Sequence, residues 1–402
     1  MVTLKILLVF ILMVILLRKK INLGIVLIID SLFLAILFWL SPKKIFDAII
    51  ITITSAQTFN LMSILILTLF IENILRKKLY LKKMVDSLKN IIKDYRIAMI
   101  MLPPLIGLLP SAGGAVFSAP MVEEVSKHAS LLPEDKSIAN YWYRHIWEYM
   151  FPLYQGIVLT SEILRVSLIN IIKILAPFGL FAAFVGIPFI FLKCPKCYFE
   201  GEGKNRDKLI YIKQFFYSIS PILLIVALIF IAKLNISLSL LITIVFLLII
   251  NKYSLEDLKI LFKEAFSINI IFLVLGVMFF KNILEISNAV ELLPSELVAF
   301  GIPNISIIMI LPFIAGLLTG ISQAFVAIAF PILLGLNITS NPHLIALAYI
   351  SGFTGVMLSP LHLCLVLTVD YFKASFFNVL RRVALLQGAV FCTALLMYLL
   401  IR

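Results

Sequence analysis

Apolar runs of about 20 residues, separated by short polar loops, recur along this chain from end to end. An α-helix rises 1.5 Å per residue, so roughly 20 residues cross the hydrocarbon core of a bilayer. Ten such runs are read: 2–17, 21–40, 48–75, 137–165, 168–192, 211–232, 234–250, 265–283, 343–369 and 384–401. Two further apolar stretches, 97–120 and 303–336, are interrupted by Pro, Gly and Ser and are read as re-entrant hairpins. Composition agrees: 62% of residues are apolar and only 14% are charged, where a soluble domain carries about 25% charge. The fold class expected is an all-α integral membrane protein. Met1 to Leu17 lacks a small-residue cleavage site and ends at Arg18-Lys19-Lys20, so it is read as a first span rather than a secretory leader.

The formal charge of +13 would suit nucleic acid, but the bases sit in short loops between apolar runs. That is the distribution of the positive-inside rule, so no nucleic-acid partner is expected; the partner is the lipid bilayer, and the location the cytoplasmic membrane. With the N-terminus outside, the inner loops are 18–20, 76–96, 193–210, 251–264 and 371–383. Segment 76–96 alone holds eight Lys/Arg against Asp86 and Asp94, and Arg381-Arg382 falls on the same side. The outer loop after Lys281 carries Glu285, Glu291 and Glu296 instead, and Lys43-Lys44 is the exception to the rule. The basic segment reads as an interfacial helix bracing its neighbours, with anionic headgroups as another use.

The chain also repeats itself. The segment 152–162 (PLYQGIVLTSE) lies 208 residues before 360–370 (PLHLCLVLTVD), and 107–115 (GLLPSAGGA) lies 209 before 316–324 (GLLTGISQA). Two matches in the same order at nearly the same offset divide the chain into repeats 1–192 and 211–402, joined by a cytoplasmic linker, 193–210. Each repeat holds five spans and one hairpin, about 97–128 in the first and 303–336 in the second. An odd number of crossings inverts the second copy. Inverted repeats with broken helices are the build of secondary transporters, whose sites lie near the bilayer midplane. Irregular backbone cannot face lipid, so the hairpin tips and the breaks at Phe151-Pro152 and Ser359-Pro360 must line protein or a watery cavity.

Leu-Leu-Pro-Ser-Ala-Gly-Gly-Ala-Val-Phe-Ser-Ala-Pro-Met-Val-Glu (108–123) and Asn-Tyr-Trp-Tyr-Arg-His-Ile-Trp-Glu-Tyr (140–149) resemble domain-of-unknown-function family 401. The resemblance runs over essentially the whole chain. It implies kinship with the ion transporter superfamily of gluconate, dicarboxylate and divalent-anion permeases. It further implies scaffold and transport subdomains, two opposed hairpins and a homodimer working by an elevator motion. Neither tip carries the Ser-Asn-Thr carboxylate signature of the dicarboxylate/sodium symporters, so no substrate carries over.

Ionisable residues at membrane depth are costly and functional by default. Arg144, His145 and Glu148 precede the Pro152 break, and the matching helix of the second repeat has only His343. Arg144 is expected to attract an anion and Glu148 to orient it or carry a coupling proton; a plain i,i+4 ion pair is the structural alternative. Substrate contacts are expected from Ser111, Ala112, Gly113 and Gly114 in the first tip and Gly320, Ser322 and Gln323 in the second. Gln155 and His362, just past the two breaks, join them. Ser111, Thr319 and Thr354 join Glu148 as ligands of the coupling ion. Asp30 reads equally as a buried structural acid or a functional one. Cys194-Pro-Lys-Cys197 is half a zinc site, and Cys364 and Cys392 lie in spans, so no metal and no other cofactor is expected. The function expected is secondary active transport of a small organic anion driven by sodium ions or protons. The alternative is an intramembrane enzyme using the Arg144, His145 and Glu148 cluster, against which no nucleophile motif is visible.

Overall fold

A computed structural model of the protein describes residues 2–92, 94–108, 114–127, 131–191 and 205–400. Helices account for nearly all of them, and no β-strand occurs among the described residues. The first half contains α1 (Val2–Arg18), α2 (Leu23–Leu37), α3 (Pro42–Thr54), α4 (Ala56–Lys77), α5 (Tyr80–Ile91), α6 (Tyr95–Gly107), α7 (Ala115–Val125), α8 (Pro133–Arg144), α9 (Gln155–Leu164), α10 (Leu168–Val185) and α11 (Ile187–Phe191). The second contains α12 (Asn205–Phe230), α13 (Ile236–Ile250), α14 (Leu255–Ala265), α15 (Ile268–Ile286), α16 (Ala289–Ala299), α17 (Asn304–Thr319), α18 (Ser322–Leu333), α19 (Pro342–Leu358), α20 (Leu363–Phe372) and α21 (Phe376–Leu400).

Among the described residues six helical stretches are long and apolar enough to cross a membrane: Ala56–Lys77, Leu168–Ile190, Lys208–Phe230, Ile268–Ile286, Pro342–Phe372 and Phe376–Leu400. Their outward faces are apolar too. On α13, Leu241, Val245, Phe246 and Ile249 are all exposed. A water-soluble helix would turn such residues inward; a helix apolar on every side belongs in lipid. The chain is a multi-pass membrane protein. The amphipathic α5 differs: it buries Tyr80, Met84, Val85 and Leu88 while Lys82 and Lys83 are exposed, and it packs on α12. This packing fits the bracing role, one of the two uses expected of the basic segment.

Three boundaries depart from expectation. The apolar stretch 48–75 is two helices, α3 and α4, because Ser55 leaves the helical conformation (ψ 137°) and its Oγ accepts from Thr58 N at 3.1 Å. A serine cap satisfies an orphaned helix N–H where another turn of helix was expected. Helix α21 starts at Phe376 instead of 384, taking in Arg381-Arg382, and Arg382 reaches Asp135 on α8 at 2.5 Å. Helix α12 starts at Asn205, inside the expected linker.

The helices fall into two groups by what they pack against, and the groups run across the two halves of the sequence. The first group is α1–α5 with α12–α16, and the second α6–α11 with α17–α21. Packing between the halves is reciprocal. Helix α2 lies along α15 and α13 along α4; α5 meets α12 and α16 meets α1; α7 meets α20 and α18 meets α9. Helix starts recur at the same spacing, Tyr95 and Asn304 being 209 apart and Gln155 and Leu363 208 apart.

Glycines permit the closest approaches. A Cβ on Gly24 of α2 would sit 2.1 Å from the Phe272 backbone of α15, and one on Gly316 of α17 would sit 2.1 Å from the Gly352 carbonyl of α19. Gly107 of α6 meets the Arg144 carbonyl of α8 at 2.2 Å in the same sense. Without a hydrophobic drive between helices in lipid, such small-residue contacts supply the packing that holds them together.

Candidate functional site

The two interrupted helix pairs and the second hairpin meet in one place. Helix α8 ends at Arg144, passes through a single 3-10 turn (Ile146–Tyr149), and the chain resumes as α9 only at Gln155. Pro152 has no N–H to continue the ladder. The carbonyls freed at the end of α6 are claimed from this segment: Trp147 Nε1 donates to Pro104 O at 2.8 Å and Tyr154 Oη to Gly107 O at 2.5 Å. In the second half α19 ends at Leu358 and α20 begins at Leu363. Ser359 Oγ donates to Leu317 O at 2.6 Å and accepts from Leu361 N at 3.1 Å. The turn between α17 and α18 is made by Gly320 in the left-handed region (φ +65°), where a Cβ would also press within 2.8 Å of His362 N. Only glycine meets both demands without strain.

Between the two helix groups lies a cavity of about 650 Å³. The second group contributes Arg144, Glu148, Gln155, Gly320, Ser322, Gln323, His362 and Cys364, and the first contributes Asn22, Glu72, Ser267 and Asn269. Three helices of the second group start at this cavity: α9 at Gln155, α18 at Ser322 and α20 at Leu363. None of the three carries a side-chain cap. Uncapped N–H groups and the positive ends of three helix dipoles are therefore aimed at one volume, the arrangement that binds anions.

The side chains around it are interlocked. Arg144 Nη1 donates to Cys364 Sγ at 3.2 Å. Ser322 Oγ donates to a Glu148 carboxylate oxygen, so the start of α18 already faces one negative group. The Glu148 carbonyl accepts from Tyr349 Oη at 2.7 Å. His145 and His362 stand with their Nε2 atoms 3.1 Å apart, and His145 Nε2 lies 3.8 Å from Glu148 Oε1.

Of the residues singled out in the sequence, Arg144, Glu148, Gln155, Gly320, Ser322, Gln323 and His362 share this cavity. Thr319 and Thr354 stand apart from its lining: Thr319 Oγ1 bonds back to Ala315 O at 2.7 Å, and Thr354 Oγ1 donates to Ile350 O and accepts from Gln387. Gly114 is buried at the start of α7, while Ser111, Ala112 and Gly113 lie outside the described residues, as do Cys194 and Cys197. Glu123 and Glu124 pair with Lys136 and Lys89 as a surface cluster. Asp30 is fully buried on α2, and neither carboxyl oxygen has a hydrogen-bond partner among the described residues. Sequence reasoning missed Cys364, His145 as a partner of His362, and the polar residues of the first group. A signal for the last existed in the repeat: Asn22 and Asn235 cap α2 and α13, 213 apart, and Ser55 and Ser267 stand 212 apart before α4 and α15.

A second cavity, of about 700 Å³, is lined from the first group by Ser55, Gln57, Asn60 and Asn235. Ser55, Gln57 and Asn235 are the repeat counterparts of Ser267, Asn269 and Asn22, which face the 650 Å³ cavity. From the second group, however, it meets Ser161 to Ile169, which correspond to nothing in the other lining. Positions of the first group thus recur in both linings, whereas no second-group position of one lining has its counterpart in the other.

The chain belongs to the family described as protein of unknown function (DUF401), whose model matches residues 2–401. No curated protein matches it.

Proposed function

We propose that this family member is a secondary active transporter of a small organic anion across the cytoplasmic membrane. The observation that carries the reading is the convergence of three uncapped helix N-termini and Arg144 on one cavity between the two helix groups. Carboxylates suit such a site, since an arginine fork and helix N–H groups both donate in parallel to paired oxygens. A cavity of about 650 Å³ is within the range that encloses small ligands.

Ten spans and two hairpins in inverted repeats fit the reciprocal packing, because each helix of one half then finds the counterpart of its neighbour in the other. The first helix group is the scaffold and the second the moving carrier. Their asymmetry about the two cavities supports an elevator motion, in which the carrier slides along a symmetric scaffold. Asn22 and Ser267 stand at the ends assigned to the basic, cytoplasmic side, so this conformation is open inward. Among the described coupling-ion candidates Glu148 lines the cavity, where its carboxyl group would carry a proton or ligate sodium; kinship with the ion transporter superfamily and a homodimer complete the proposal. An intramembrane enzyme would leave the reciprocal halves and second cavity without a role.

The test is a thermal-shift screen of the purified protein against mono-, di- and tricarboxylates, with and without sodium. A ligand that binds only the folded state raises its midpoint. At least one anion is expected to do so for the wild type and to lose the effect in the Arg144→Met, Glu148→Leu double variant. Replacing buried charged groups together by apolar residues of similar volume is often neutral for the fold, and unchanged elution in size exclusion checks it. Equal shifts in both proteins, or none in either, would contradict the reading.

A further inference from the structure

His145, His362 and Cys364 come from different halves of the chain, yet a ring nitrogen of each histidine and Cys364 Sγ all lie within 4.8 Å of one another and all three residues are buried. Each imidazole is oriented by its other nitrogen. His145 Nδ1 is 2.6 Å from Tyr141 O, and His362 Nδ1 is 2.7 Å from Gly320 O. A carbonyl only accepts, so both Nδ1 atoms carry their protons there, and in the neutral rings both Nε2 atoms present lone pairs to each other at 3.1 Å. Two lone pairs at that separation repel unless a cation bridges them. A backbone carbonyl fixing the tautomer of a ligating histidine is also the usual outer-shell partner in zinc sites.

We propose that His145 Nε2, His362 Nε2 and Cys364 Sγ form a binding site for a thiophilic or borderline divalent metal ion of the zinc class. With metal–nitrogen bonds of about 2.0–2.1 Å, a tetrahedral ion holds two nitrogens roughly 3.3 Å apart, close to the 3.1 Å between the histidines. The thiol proton is lost on binding, since a coordinating thiol is deprotonated outright. Zn²⁺ with one thiolate carries a net charge of +1, so it places no more charge next to Arg144 than a single proton shared by the two rings would. The donor set of two imidazoles and a thiolate selects zinc or cobalt over magnesium or calcium, which prefer oxygen. Three protein ligands leave a fourth position. His362 and Cys364 line the cavity, which places the ion at its wall, where water or a carboxylate oxygen would supply the fourth ligand. The site stands whether or not the protein is a transporter.

Cobalt(II) reports the ligands directly, through a thiolate-to-cobalt charge-transfer band in the near ultraviolet and visible bands whose intensity marks tetrahedral geometry. The full-length protein would carry Cys194→Ser, Cys197→Ser and Cys392→Ser, leaving Cys364 as the one thiol. The expected result is a single equivalent of Co²⁺ per chain with the charge-transfer band, displaced by Zn²⁺. Adding Cys364→Ser should abolish the band, and His362→Gln should weaken binding at least tenfold. In parallel, Zn²⁺ should raise the thermal midpoint of the parent but not of the Cys364→Ser protein, with both eluting alike in size exclusion. A band that persists without Cys364 overturns the proposal. So does a folded protein that binds no Co²⁺ or Zn²⁺, the outcome expected if only a shared proton bridges the histidines.

Discussion

The same substitution, glycine to alanine, should have opposite effects at two helical positions of this protein. At Gly316 the new Cβ would lie 2.1 Å from the Gly352 carbonyl oxygen and 2.9 Å from Val356 N, where ordinary contact begins at 3.4 Å. The obstacle is the backbone of α19, which no rotamer change can clear, so α17 and α19 must part by about 1 Å. Gaps of roughly 0.5–1 Å forfeit a quarter to a half of each dispersion contact along the interface. Overpacking of this kind costs about 1–3 kcal/mol, and a backbone obstacle belongs at the upper end. Alanine recovers about 1 kcal/mol of helix propensity over glycine, leaving a net loss of about 2 kcal/mol, or roughly 30-fold in the folding equilibrium. At Gly388 a Cβ meets nothing within 4 Å, so the propensity gain stands alone and Gly388→Ala should stabilise by up to about 1 kcal/mol. Titration from mild detergent into dodecyl sulfate, followed by tryptophan fluorescence, measures both; Trp142 is fully buried and reports the core of the second group. A Gly316→Ala protein as stable as the wild type would refute the close α17–α19 contact and the packing argument built on it.

Three other expectations follow from particular contacts. Asp30 buries a carboxyl group with no hydrogen-bond partner among the described residues, so Asp30→Val should raise stability by about 1 kcal/mol in the same titration, and a loss would reveal a polar role for this acid. Glu134 is held below its ordinary pKa of 4.5 by its own backbone N–H and by Ser375 N–H, the latter at 3.1 Å. A depressed pKa stabilises above the unfolded value and the benefit fades as pH falls, so the gap between wild type and Glu134→Gln should be open at pH 7 and close below pH 4.5; a gap independent of pH would contradict this. Single cysteines at Lys136 and Asn341, in a cysteine-free protein, should react with an impermeant reagent from opposite sides of the membrane, and reaction from one side would remove the inverted repeat.

The helical membrane architecture was legible in the sequence because lipid demands long apolar runs; proline and glycine within them were weaker marks, since Pro177, Pro221 and Pro312 lie inside continuous helices and Gly24 and Gly316 serve close packing. Pro152, Pro360 and Gly320 mark real interruptions. Boundaries were less legible where a single side chain decides them. Ser55 ends α3 through one capping bond inside an unbroken apolar stretch, and Arg381-Arg382 read as loop although α21 carries them to Asp135. The lining of the candidate site was legible as far as polar residues near breaks could mark it. Thr319 and Thr354 looked equivalent to Ser322 in composition, but their hydroxyls bond one helical turn back along their own helices. The contact between His145 and Cys364 is invisible in sequence because it joins residues 219 apart across the two halves.

The central claim is that one cavity is exposed alternately to the two sides of the membrane. A single cysteine replacing Gln323, which lines the cavity beside Ser322, measures this in sealed vesicles of known orientation. An impermeant thiol reagent should modify it from the cytoplasmic side, and also from the outer side at a rate that changes with the proton or sodium gradient. Modification from a single side under every gradient would contradict alternating access.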